Sequence, residues 1–208
     1  MIISSTSCIS QKKNTENISF RLANKEDTSE ILEIYAPYIE NTTVTFEYDI
    51  PSLKEFEKRI IKISEDYPYI VCELEGKIIG YAYAHKNMER AAYGWNVELS
   101  VYIHNKYLRY GIGRKLYSMI IEILKLQNII NVYGRVTSPN ENSERFHENL
   151  GFKKLGVFHN TGYKFDRWID VIWYEKAILP HMIPPGSVKS IKEIDKRVIE
   201  KILKEELY

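Results

Sequence analysis

Cysteine is nearly absent. Two thiols in 208 residues, Cys8 and Cys72, support neither a disulfide framework nor a four-ligand zinc site. Cys72 lies in the apolar run YIVCEL and reads as a buried strand residue. His85, His104, His159 and His181 lack metal-ligand spacing with one another or with cysteine, so no metal is expected. A dominant charge is missing too. Lys and Arg number 29 against 28 Asp and Glu, which argues against a generally basic nucleic-acid binder and leaves no nucleic acid among the expected partners. No run approaches the roughly 18 apolar residues of a membrane span. The N-terminal MIISSTSCISQKKNTENIS has no basic start followed by a long apolar core, so it does not read as a secretory signal. The expectation is a cytoplasmic protein with no membrane partner. Tyrosine, by contrast, is abundant at 16 residues and reads as core and pocket wall rather than a base-stacking platform.

Residues 1–17 are polar and read as a flexible leader. ISFRLA reads as a strand, and Asp27 or Thr28 as the cap of a helix carrying Ile31, Ile34, Tyr35 and Tyr38 on one face. SLKEFEKRIIKIS gives a second amphipathic helix. YIVCELE and KIIGYAYAHK, separated by Glu75-Gly76, read as a hairpin. YGWNVELSVYIH is a further strand, a long helix spans about residues 111–127, and IINVYGRVTS is again a strand. NENSERFHENLGF reads as a short helix closed by Gly151, and two strands follow. The order implies an α/β or α+β domain over residues 18–179, built on one mixed sheet, and no internal repeat is visible. Residues 180–187, with three prolines and Gly186, read as a linker. Residues 188–208 carry Val188, Ile191, Ile194, Val198, Ile202 and Leu203 at helical spacing among mixed charges. This C-terminal amphipathic helix needs a surface, either its own domain or a second copy in a homodimer.

The stretch LRYGIGRKLYSMIIEIL places Gly111 and Gly113 at the start of a helix. Residue 116 is Leu rather than a third glycine, and no Gly-Lys-Ser/Thr follows, which excludes the dinucleotide and P-loop fingerprints. What remains is a loop whose backbone N–H groups converge at a helix N-terminus, a ready pyrophosphate site.

VELSVYIHNKYLRYGIGRKL followed by NENSERFHENLGF resembles the GNAT superfamily of acetyl-CoA-dependent N-acetyltransferases. TTVTFEY, AAYGWNVELSVYI, FHENLGF and TGYKFDRWIDVIWYE are more narrowly similar to the phosphinothricin acetyltransferase group, which also acetylates methionine sulfone and methionine sulfoximine. The likeness runs over roughly residues 18–178. It implies a GNAT fold, a mostly antiparallel twisted sheet flanked by helices, with acetyl-CoA as co-substrate and a small amine or amino acid as acceptor. The strand Val101, Tyr102 and Ile103 would pair with the pantetheine arm. Arg109, Tyr110, Gly111, Ile112, Gly113 and Arg114 would cup the pyrophosphate, although Leu108 departs from the Gln or Arg usual at the motif's first position. Asn140 matches an Asn that touches coenzyme A, or else caps a helix; Ser143 lies on the same turn.

Glu98 corresponds to the group's proposed base. A protonated amine must lose a proton before it can attack a thioester, and a carboxylate can take it. His147 stands where many GNAT enzymes carry a Tyr that protonates the leaving thiolate. It would serve as general acid, as partner to Glu98, or as a buried structural residue. A backbone N–H of the Leu99–Ile103 strand would hydrogen-bond the thioester carbonyl. The acceptor pocket would be formed by Thr43, Thr45 and Phe46, by Met88, Glu89, Arg90 and Tyr93, and by Glu98, Leu99 and Ser100, with Arg90 as the cation for a substrate carboxylate. Asn87 and Met88 replace the Trp and Lys of the phosphinothricin-detoxifying type, which leaves the acceptor open. Three other readings stand beside this one: acetylation of a peptide or protein amine, a non-catalytic acyl-CoA-binding regulator, and nucleotide binding at the glycine loop.

Overall fold

The computed structural model describes residues 17–204. The expected leader, apart from its last residue, and the end of the expected C-terminal helix lie outside the described residues. The elements run β1 (Ile18–Leu22), α1 (Thr28–Asn41), α2 (Leu53–Asp66), β2 (Tyr69–Leu74), β3 (Lys77–Lys86), β4 (Asn96–Ile103) and α3 (Ile112–Leu126). They continue with β5 (Asn131–Ser138), α4 (Glu141–Asn149), β6 (Lys153–Lys164), β7 (Arg167–Ala177) and α5 (Lys196–Lys204). All seven strands join one sheet in the order β1-β2-β3-β4-β5-β7-β6. Every pairing is antiparallel except that of β4 with β5.

The two faces of the β1–β4 half are covered differently. On one face Ile31, Ile34 and Tyr35 of α1 and Phe56 and Ile60 of α2 bury against Tyr69, Tyr81 and Tyr102. On the other, the apolar stripe of α3, with Leu116, Ile120 and Ile123 fully buried, meets Ile79, Ala82 and Leu99. The β2–β3 turn is closed by Glu75 and Gly76, both at positive φ (52° and 79°), the geometry of a tight hairpin whose twist matches its strands.

Local details differ from the sequence reading. Asp27 precedes α1 but makes no side-chain cap there. Its carboxylate instead accepts the Asn24 N–H at 2.8 Å and two charge-assisted bonds from the Arg21 guanidinium. The C-terminal helix is shorter than expected: a single turn at Ile191–Glu193 precedes α5. Ile199 and Leu203 of α5 are buried in the α3-side core of the chain's own domain, where α5 packs on β1 and α3.

The site is created by the one parallel pairing. β4 and β5 pair only at Asn96↔Asn131, Val97↔Val132 and Glu98↔Tyr133. Past Glu98, β4 follows β3 to Ile103 and β5 follows β7 to Ser138. The sheet opens between them.

Candidate active site

A cleft of about 560 Å³ occupies this opening. Glu98 stands at its apex. Side chains alternate along a strand, so Glu98, Ser100 and Tyr102 share the α1/α2 face with their β3 partners His85, Tyr83 and Tyr81. Glu98 is 8% exposed, and a buried carboxylate needs a counter-charge. Arg135 of β5 supplies it. Its Nε donates to Glu98 Oε2 at 2.7 Å, and its Nη2 donates to the same oxygen. His85 Nε2 lies 3.8 Å from that oxygen. Glu98 Oε1 has no hydrogen-bond partner among the described residues. The Arg135 guanidinium rests over the Trp173 ring, 5.0 Å from its centroid, opposite which β7 places it in register.

The far wall holds His147 and Tyr117. His147 is 6% exposed, stacked on Tyr174 at 5.2 Å and edge-on to Phe146 and Phe152. Its Nδ1 lies 2.8 Å from the Ser143 carbonyl. A carbonyl only accepts, so Nδ1 carries the proton and the neutral ring turns a lone pair at Nε2 toward the Tyr117 hydroxyl, 3.5 Å away. The one hydroxyl proton is shared between that lone pair and the Leu99 carbonyl, 3.3 Å away. Burial raises Tyr117 well above the ordinary phenol value, so it stays protonated. The expected partnership of His147 with Glu98 is not formed: Glu98 is engaged by Arg135, and His147 by Ser143 and Tyr117.

Burial lowers His147 below the ordinary histidine value. Between the two values the unfolded chain binds more protons than the folded one, so the stability from neutral His147 is present at high pH. It is lost as pH falls through about 6.5. Urea unfolding at about pH 7.5 and about pH 5.5 should therefore show a larger loss in wild type than in His147→Gln. Equal losses would mean that the imidazole protonates in place without cost.

One side of the cleft is formed by the loop between α1 and α2, through Val44, Thr45 and Phe46. Lys164 at the end of β6 is 3% exposed and donates through Nζ to the carbonyls of Ile39 (2.7 Å) and Thr45 (2.9 Å). Tyr35 shares a 2.7 Å hydrogen bond with the Thr45 hydroxyl and donates to Glu47 at 2.9 Å. Phe46 lies so close to Gly162 that a Cβ there would come 2.2 Å from its ring.

The expected residues divide into three groups. Thr45, Phe46, Glu98, Leu99 and Ser100 line the cleft, as do Val101, Tyr102, Asn140, Ser143 and His147. Asn140 is the cap of α4, its side-chain oxygen accepting the Ser143 N–H at 3.2 Å. Met88, Glu89, Arg90 and Tyr93 do not line it. They sit on the exposed β3–β4 connection, beyond the strand ends, where the Arg90 carbonyl closes a turn with the Tyr93 N–H at 2.9 Å. Arg90 is thus exposed and outside the cleft lining.

The third group, Arg109 to Arg114, is outside the cleft lining. Arg109 and Gly111 both take positive φ (68° and 78°), turning the chain into α3. A Cβ at Gly113 would lie 3.4 Å from Phe146 and 3.9 Å from Val101, and both of those side chains line the cleft. The first N–H groups of α3 therefore open beside it, unsatisfied within the helix. The Ile112 side chain is 2% exposed and packs in the core.

The β4 edge is equally specific. His104 N–H donates to Ile79 in β3, so the alternation of an antiparallel ladder points the backbone groups of Leu99, Val101 and Ile103 toward β5. The Leu99 carbonyl takes Tyr117, and Ile103 is held through both backbone groups by the Tyr38 hydroxyl. That corrects the expectation for Ile103 and leaves Val101 as the available edge. Residues missed from sequence include Tyr117, Arg135, His85 and Trp173. Of these only Arg135 carried a signal, a lone charge inside the strand pattern INVYGRVTS. Among the described residues no three His, Cys, Asp or Glu side chains converge as a metal site, and no helix is long and apolar enough to cross a membrane.

The described geometry has close counterparts. A family profile described as an acetyltransferase (GNAT) domain matches residues 20–173. A phosphinothricin N-acetyltransferase of Streptomyces viridochromogenes is 33% identical over 178 residues, covering 85% of this chain and 96% of the relative. An L-methionine sulfoximine/L-methionine sulfone acetyltransferase of Salmonella typhimurium is 30% identical over 172 residues, covering 80% and 98%. The crystal structure of a GNAT superfamily phosphinothricin acetyltransferase from Sinorhizobium meliloti in complex with AcCoA superposes with a TM-score of 0.77 at 30% identity. It covers 83% of this chain and 94% of its own.

Proposed function

The chain belongs to the GNAT acetyltransferase family, and we propose that its cleft acetylates the amino group of a small amino acid or analogue of the phosphinothricin or methionine sulfoximine/sulfone type. It is an N-acetyltransferase with acetyl-CoA as co-substrate, which supplies an activated acetyl thioester. The observation that carries the acceptor reading is Glu98, a buried carboxylate at the apex of the opened sheet with Oε1 unengaged.

Each part of the cleft has a task in this reading. The N–H groups at the start of α3, beside Gly111 and Gly113, hold the pyrophosphate, favoured by the helix dipole. The Val101 backbone pairs with the pantetheine amides along the open β4 edge. Glu98 Oε1 takes a proton from the acceptor's ammonium. As the amine attacks and the carbon–sulfur bond breaks, Tyr117, kept protonated by burial, gives its proton to the departing sulfur and regains one from the acceptor nitrogen, which sheds its second proton as the amide forms; His147 holds the tyrosine from behind. The donor therefore shifts from His147 to Tyr117, because the imidazole has no proton on the nitrogen that faces the phenol. A peptide or protein acceptor would need an open groove, whereas the loop held by Lys164 closes one side of this cleft.

Thiol release from acetyl-CoA, measured with methionine sulfone, methionine sulfoximine, phosphinothricin and the common amino acids side by side, tests the proposal. At least one should be turned over well above the background hydrolysis rate, and no turnover with any would refute it. Gly162→Ala probes the α1–α2 loop. The new methyl must displace Phe46, so the acceptor KM should rise roughly tenfold while the acetyl-CoA KM stays unchanged. An unchanged acceptor KM would show that Phe46 does not bound the acceptor.

A further inference from the structure

Arg135 does more than its ion pair requires. Its side chain is 43% exposed and lines the cleft. A guanidinium offers five N–H donors in a planar fork. Two of its nitrogens, Nε and Nη2, converge on a single oxygen, Glu98 Oε2, and Nη1 has no hydrogen-bond partner among the described residues. The ring of Trp173 lies beneath it, 5.0 Å from the guanidinium carbon. The cleft thus presents a carboxylate and a guanidinium in contact, with donors to spare on the cationic side.

This pair is the complement of a zwitterion. In an α-amino acid the ammonium and the carboxylate hang on one carbon, so a group that binds the ammonium must have its carboxylate partner next to it. Glu98 and Arg135 meet that condition; Arg90, on the exposed connection, does not. Resting on the acceptor reading above, we propose that Arg135 binds the α-carboxylate of the acceptor and so restricts the cleft to amines that carry one. Arrival of the zwitterion exchanges partners without leaving a buried charge alone: the ammonium takes over from the guanidinium beside Glu98, and the substrate carboxylate takes over from Glu98 on the fork. In the resting chain the same ion pair compensates Glu98 at a site where an unpaired carboxylate would be costly.

The test compares the panel acid turned over best with its primary carboxamide, in wild type, Arg135→Gln and Arg135→Lys. In wild type, kcat/KM should favour the acid by roughly 10- to 100-fold, the worth of charge-assisted hydrogen bonds to a carboxylate. In Arg135→Gln that ratio should collapse to within a few-fold, whatever happens to the absolute rates. Arg135→Lys should restore part of it, as a cation without the fork. The acetyl-CoA KM, the same in all three, reports that the variants are folded. A ratio that stays at its wild-type value in Arg135→Gln would mean that Arg135 only positions Glu98, and would overturn the inference while leaving the acceptor reading intact. So would a wild-type enzyme indifferent to the carboxylate. Absence of turnover with every acid and amide would overturn the acceptor reading and this inference with it.

Discussion

Glu98→Gln should lower acetyl transfer by roughly 10²- to 10⁴-fold, the range typical of a lost general base, with little change in acetyl-CoA affinity. The substitution preserves the volume of the side chain, so the cleft keeps its shape. It removes the basic oxygen and replaces a charge-assisted pair with Arg135 by a neutral one. Because the Arg135 side chain is 43% exposed, water can solvate the cation left behind, and the cost in stability should be small. Those two consequences separate catalysis from folding. Initial rates of thiol release at saturating acetyl-CoA, with thermal unfolding of the same preparations, provide the check. A variant with wild-type activity would remove Glu98 from the chemistry. A variant that binds no acetyl-CoA would show that Glu98 organises the cleft rather than serving as its base.

The second large effect is structural. Gly134→Val should destabilise the fold by about 1–3 kcal/mol, the usual range for overpacking. For a domain of this size that corresponds to a fall in Tm of roughly 2–12 °C. Valine is favoured in strands, so propensity alone would predict a gain. The obstacle is His147: a Cβ on Gly134 would sit 2.5 Å from Nε2 and 2.8 Å from Cδ2. The ring cannot retreat, because Tyr174 stacks on its face, Phe146 and Phe152 meet it edge-on, and the Ser143 carbonyl anchors Nδ1. Displacing it would also disturb the neighbouring Tyr117 hydroxyl, so activity should fall alongside stability. Calorimetry of wild type and Gly134→Val decides the matter, and an unchanged or higher Tm would mean that the α4 helix shifts freely to make room.

Features carried by local pattern were legible in the sequence. The Glu75-Gly76 hairpin, the apolar stripe of α3 and the closure of α4 by Gly151, which adopts φ 80°, each depend on neighbours within a few positions. Glu98 could be found because a carboxylate inside an apolar strand is unusual by itself. The constellation around it could not. Arg135 reaches Glu98 across 37 positions, through a parallel pairing only three residues long, and no local pattern encodes where two strands part. Tyr117 sits on the buried face of α3, where its hydroxyl is hidden behind a helical period that spells core. His85 looked like a strand residue until the β3–β4 register set it opposite Glu98. Arg90 shows the converse: a cation of the right type for a carboxylate, yet carried on the exposed β3–β4 connection outside the cleft lining. Lys164 was equally hidden, since its role depends on carbonyls 119 and 125 positions away.

The most direct measurement is the identity and yield of the product. Purified protein is mixed with acetyl-CoA and the best acceptor of the panel, and the mixture is followed by NMR and by thiol release together. The account predicts an acetyl group on the acceptor's α-nitrogen, one for each coenzyme A released, with both signals suppressed together in Glu98→Gln. Thiol release without N-acetyl product, or none above background with any acceptor, would contradict it.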